Sequence, residues 1–256
     1  MEALTALLPD ALSGSVAALL IAASFFTSAF TAAFGLGGGV AMLALLGAFL
    51  PVSALIPVHG AVQLGSNTGR AWHQREHIRY SITVPFMIGS LAGAAVGALL
   101  VIQLPDAVLK LALGLFIVAI TWTKIPGIEN LREAGLAIGS GIIALANMFF
   151  GATGPLLSAF FAQILPDDRK ALIATHAAGM TVQHALKVVA FTVAGFAFAS
   201  WLPLVAAMIA AGYLGTISGS RLLDKMPEER FRLWFRIVVT LLALDLVRRG
   251  LMALMG

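Results

Sequence analysis

Fifty-nine consecutive residues, from Ala11 to Gly69, contain no Asp, Glu, Lys or Arg. One helix needs ~20 apolar residues to cross hydrocarbon, so this stretch alone holds more than two crossings. Further charge-poor stretches run over Tyr80–Pro105, Leu111–Thr123, Ala134–Pro166, Ala171–Leu186, Val188–Ser220 and Ile237–Leu244. Only 11% of the chain is charged and 60% is hydrophobic, whereas a soluble chain is ~25% charged. A water-facing surface cannot be built from so few charges. The chain reads as lipid-embedded, with the bilayer as its first partner, and not as a soluble enzyme or nucleic-acid binder. There is no cysteine, which removes disulfides and thiol chemistry. The net charge of +4 reads as the Lys/Arg bias that orients a membrane protein, not as a basic patch for an anionic partner.

Two of the stretches are interrupted. Phe34-Gly35-Leu36-Gly37-Gly38-Gly39 breaks the first, and Phe150-Gly151-Ala152-Thr153-Gly154-Pro155 breaks the fourth. Each break is followed by about a dozen apolar residues and then a proline, Pro51 or Pro166. A helix of that length is ~18 Å long, too short to cross unaided. Each is expected to be a half-helix fed by an irregular Gly-containing loop. The predicted helices are 11–33, 40–50, 54–72, 80–103, 107–124, 132–149, 155–165, 170–194, 201–223 and 231–249: about eight full transmembrane helices plus two half-helices.

The halves share landmarks in order. Phe34, Pro51, His59, Arg70 and Pro85 match Phe150, Pro166, His176, Lys187 and Pro203; Gly93, Gly97 and Pro105 match Gly215, Gly219 and Pro227. Residues 1–125 and 126–256 are therefore expected to be two repeats of one membrane domain. Arg70, Arg75 and Arg79 crowd one loop of the first repeat, and Arg221, Lys225, Arg230 and Arg232 crowd the non-equivalent loop of the second. If each half-helix counts as a passage, every repeat traverses five times and the repeats are inverted. Both basic loops then face the cytoplasm, as the positive-inside rule requires, and both termini lie outside.

Irregular backbone at membrane depth must be buried in protein or line a cavity. A loop that opens a helix presents free amides and the positive end of the helix dipole, which favour an anion. In inverted-repeat transporters, paired broken helices hold substrate near the midplane. The amides around Gly37, Gly38, Gly39, Thr153 and Gly154 are thus expected to hold an oxyanion. After each half-helix comes a polar stripe: His59, Gln63 and Ser66 with Asn67 beside them, and His176, Gln183 and Lys187 with His184 beside them. These side chains are rich in hydrogen-bond donors and are expected to line the path. Arg70 ends the first stripe and is read as snorkelling to the cytoplasmic face. The acidic residues fall near span ends or in loops, so no buried carboxylate is expected to bind a coupling cation, and no metal or cofactor is expected.

The pattern Phe34-Gly35-Leu36-Gly37-Gly38-Gly39-Val40, then Pro51, then the polar helix from His59 to Arg70, resembles the TauE/SafE sulfite exporter family. The second copy, Phe150 to Pro155 with Pro166 and His176, is similar to that family's duplicated half, with Thr153 and Pro155 where the first copy has Gly37 and Gly39. The resemblance implies an all-α polytopic permease of the bacterial plasma (inner) membrane. Its cargo would be a small sulfur-containing anion, sulfite or an organosulfonate. Export by alternating access is the expected activity, with uptake as the alternative and a homo-oligomer compatible with both. An intramembrane hydrolase, with Thr153 as nucleophile and a histidine as base, is the weakest alternative because no acid orients the histidine.

Overall fold

The computed structural model describes residues 12–34, 37–101, 105–122, 135–165, 168–222 and 228–255. Gly35, Leu36, Pro166 and Pro227, and the loop charges between 123 and 134 and between 223 and 227, lie outside the described residues. The described secondary structure is helical, with no strand. In chain order the helices are α1 (Gly14–Phe34), α2 (Gly38–Phe49), α3 (Val52–His73), α4 (Tyr80–Val101), α5 (Asp106–Trp122), α6 (Gly135–Phe150), α7 (Gly154–Ile164), α8 (Arg169–Val193), α9 (Leu202–Leu222) and α10 (Glu228–Met255). Short 3-10 turns stand at Arg75–His77 and Phe198–Trp201.

Among the described residues, three segments are long and apolar enough to cross a membrane by length and composition: Gly14–Ala32, Tyr80–Leu100 and Phe198–Gly219. These lie in α1, α4 and α9 and include one helical turn before α9. One face of each carries large side chains outward, with Phe26, Ile88, Leu91, Leu99 and Leu214 all exposed, while Leu20, Phe86 and Met208 face inward. An apolar belt on the outside suits lipid, not water. By contrast α3 and α8 carry the polar stripes, pack against each other and bury those stripes at the centre. Their polar residues are affordable there because protein, not hydrocarbon, surrounds them.

Glycines fix the closest helix approaches, as small residues do in membrane bundles. A Cβ on Gly93 would overlap the Gly141 carbonyl of α6, and one on Gly215 would overlap the Phe25 carbonyl of α1. Gly97 and Gly219 approach the carbonyls of Leu145 and Ala29 in the same way. Phe25 and Ala29 precede Gly141 and Leu145 by the same interval that separates Phe34 from Phe150. The matched glycines therefore make matched contacts, crosswise: α4 packs on α6, and α9 packs on α1.

These contacts also set direction. Gly65 meets Ile209 and Gly69 meets Tyr213, so α3 and α9 run parallel, and α1 runs with α9. Phe86 lies at Gly179, and the Arg79 amide donates to Thr175 Oγ1 at 3.0 Å, so α4 runs with α8. The stem of Lys187 crosses Gly60 while Arg70 and His176 share a cavity, so α3 and α8 are antiparallel. The short helices oppose each other. The first turn of α2 lies against Thr27 and Thr31 near the end of α1, and its last turn lies by Leu55 at the start of α3. α7 folds back along α6 in the same way, with Phe160 by Gly139, and because α6 runs with α4, opposite to α1, α7 points opposite to α2.

Candidate functional site

Both short helices begin in the interior and neither is capped by a side chain. Gly37 precedes α2 with φ of 104°, a conformation open to glycine and strained for other residues. Thr153 precedes α7, and Pro155 occupies its first turn, where no amide donor is needed. By helix geometry the first-turn amides lack an acceptor within their own helix. The sequence expectation placed Gly38, Gly39 and Gly154 in loops; they are instead the first residues of the helices, because the helical turn starts as soon as the chain leaves Gly37 and Thr153. By the same helix geometry their amides are first-turn amides without an acceptor in their own helix.

One histidine holds each helix start in place. His59 Nε2 donates to the Gly39 carbonyl at 2.9 Å, and His176 Nε2 donates to the Gly154 carbonyl at 3.0 Å. A carbonyl only accepts, so Nε2 carries the proton in both rings. Each polar helix is thereby tied to the half-helix before it, once per half of the chain. His184 stands edge-on to His59, with ring centroids 5.9 Å apart.

These groups meet at a cavity of about 30 Å³ between α2, α3, α7 and α8. That is room for about two waters. Of the residues singled out from sequence, Gly37, Gly39, His59, Gln63, Asn67, Gly154, His176 and His184 line it. Four others do not. Gly38 is buried against the Thr27 carbonyl and Thr31. Thr153 is buried and donates to Gln183 Oε1 at 3.4 Å, while the Gln183 amide nitrogen is buried with no partner among the described residues. Lys187 is fully buried behind the cavity, where its ammonium donates to Asn147 Oδ1 and to the Gly151 carbonyl, both at 2.9 Å.

Sequence reasoning placed one cation differently and passed over one amide. Arg70 does not snorkel: it is 6% exposed, lines the cavity and donates from Nη1 to Asn67 Oδ1 at 3.2 Å. Asn67 in turn donates to the Gln63 carbonyl at 2.8 Å. The alignment of Arg70 with Lys187 already marked it as more than a helix-end cation. Asn147, the partner of Lys187, was legible as the only amide side chain in the apolar stretch from 134 to 150, a costly residue to place there without a function.

The arrangement offers donors and one buried guanidinium around a small cavity, with no described carboxylate among its walls. Among the described residues no cluster of His, Asp and Glu could hold a metal. Donors of this kind around a cavity suit a small oxyanion. In comparison with known proteins, the family model described as sulfite exporter TauE/SafE matches residues 20–246. No curated protein and no solved structure matches the chain.

Proposed function

The chain belongs to the sulfite exporter TauE/SafE family, and from that premise we propose that it carries sulfite or a closely related sulfur anion outward through the cavity between its two half-helices. As a member it is a membrane protein of a transporter family for sulfur anions. The observation that carries the site assignment is the pair of uncapped helix starts, each tied by a histidine, around one donor-lined cavity. The amides of Gly39 and Gly154 would bind the oxygens, with Gln63, Asn67, His59, His176 and His184 around them. Gly37 sets the start of α2, and Gly38, Thr153, Gln183 and Lys187 hold the frame.

Residues 1–125 and 126–256 would be inverted repeats that rock about this site to expose it alternately. The crosswise glycine contacts and the opposed directions of α2 and α7 support that reading. Outward movement of an anion from a cell that is negative inside is favoured by ~2.3 kcal/mol per charge per 100 mV, so no coupling ion is needed. The membrane would be the bacterial plasma membrane.

The test is sulfite flux in liposomes under an imposed potential. Inside-negative potential should drive efflux. His176→Ala should cut the flux by about tenfold or more, as expected for a lost contact of ~1.5 kcal/mol. Gly39→Ala is the milder probe, since its added methyl would meet only the Gln63 side chain, at 3.4 Å; it should raise the sulfite KM. Gly38→Leu is a poor probe because it disrupts the packing on α1. Sulfite accumulation against the potential would instead establish uptake.

A further inference from the structure

The two buried cations near the site have different surroundings. Lys187 has two acceptors on its ammonium, and its stem is clamped over Gly60. Arg70 has one neutral partner, Asn67, and its Nε is buried with no partner among the described residues. The ion pairs seen among those residues are Arg79 with Asp168, and Arg248 and Arg249 with Asp245; none reaches Arg70. A guanidinium out of water needs an anion to offset its lost hydration.

Arg70 also stands in the wall between two cavities. One is the small donor-lined cavity at the half-helices. The other, of about 500 Å³, is an open groove between the C-terminal half of α3 and the parallel α9, and its walls include Ser66 and the exposed Ala210 and Tyr213. Ile209 packs onto Gly65 and the Tyr213 ring lies over Gly69, and Arg70 stands beside them in the wall of this second cavity.

We propose that Arg70 is the charge partner of the transported anion and that the cavity between α3 and α9 is the vestibule from which the anion reaches it. The anion meets the guanidinium in the wide cavity, keeps that contact as it passes Asn67, and is delivered to the helix starts. Lys187 holds the Gly151 turn and does not touch the anion. This deepens the functional reading above and rests on it.

The test uses the whole chain in liposomes. Arg70→Gln should lower sulfite flux by about tenfold or more, the loss expected for one charge-assisted contact, while Arg70→Lys keeps a clearly larger share. The native chain has no cysteine, so a single Ala210→Cys can be reacted with a bulky maleimide, freed of reagent, and then given sulfite. Flux should fall on labelling. The same label on Val193→Cys, an exposed position at the end of α8, should leave flux unchanged. Comparison before and after labelling uses one folded protein, so misfolding cannot imitate the result. Wild-type flux through Arg70→Gln, or through labelled Ala210→Cys, would overturn the inference and leave the transport reading standing. Absence of sulfite flux in the unmodified chain would instead bring down the transport reading, and this inference with it.

Discussion

Lys187 reads from sequence as an anion ligand among polar donors on an apolar helix, and two of the three donors of its ammonium go to Asn147 and to the Gly151 carbonyl. Lys187→Met should therefore leave two buried acceptors unpaired, at ~1–3 kcal/mol each. Thermal unfolding of the detergent-solubilised variant should show a lower midpoint, with the sulfite KM changed by less than about twofold. A tenfold rise in KM without a loss of stability would return Lys187 to the anion. Outside the spans, Asp168 caps α8 by accepting from the Ala171 amide at 2.9 Å and pairs with Arg79 at 2.7 Å. The amide first, and Arg79 second, hold its carboxyl below the ordinary value of 3.8. A depressed carboxylate contributes stability above its unfolded value, and that contribution is lost as pH falls through the folded one. Asp168→Asn, which retains a capping side chain, should lower the unfolding midpoint at neutral pH. The gap to the parent should close as the pH drops below 3.8.

At the scale of helices, glycine decides which pairs form. Gly93 and Gly215 leave no room for a methyl, because each faces a neighbouring helix's carbonyl. Gly93→Ala and Gly215→Ala are each expected to separate a helix pair, reducing both the unfolding midpoint and the yield of folded protein. Gly195→Ala is the control. Its φ of 88° makes alanine strained, but the added methyl meets nothing within 4 Å, so its cost is confined to the local backbone, about 1 kcal/mol. Equal damage from all three would mean that close packing is not what those glycines provide. The sequence matches among Gly93, Gly97, Gly215 and Gly219 were visible as spacing, but their partners on α6 and α1 were not. Spacing along one helix does not say which other helix will approach it.

Across the whole molecule, helix direction is the property on which the proposed rocking transport depends. With α3 parallel to α9 and antiparallel to α8, the Arg75–His77 turn lies at one end of the bundle and the turn at Phe198–Trp201 at the other. Single cysteines at Glu76 and Ser200, both exposed, are expected to react with an impermeant thiol reagent from opposite sides of a sealed vesicle. A cysteine at Met255 should label with Ser200, because α10 runs antiparallel to α5 through the contacts of Gly114 with Val247 and Gly250 with Leu111. Labelling of Glu76 and Met255 from the same side would require an even number of passages between them, and it would remove the rocking model.

Much of this was written along the chain. Long uncharged stretches dictate membrane helices, because no other arrangement of so apolar a chain satisfies its backbone in lipid. The Gly-containing breaks before short apolar segments dictate the two half-helices, because length alone stops them from crossing. The histidines that bind their helix starts were visible by position, since only polar side chains with a function persist at that depth. What the chain order could not assign was the role of each cation. Arg70 and Lys187 follow the same pattern eleven residues after a histidine, and their difference arises from helices far away in sequence. α6 and the turn after it each supply an acceptor to Lys187, while α9 leaves a groove beside Arg70. A charge is shaped by whatever surrounds it in space, and those neighbours are chosen only when the helices pack.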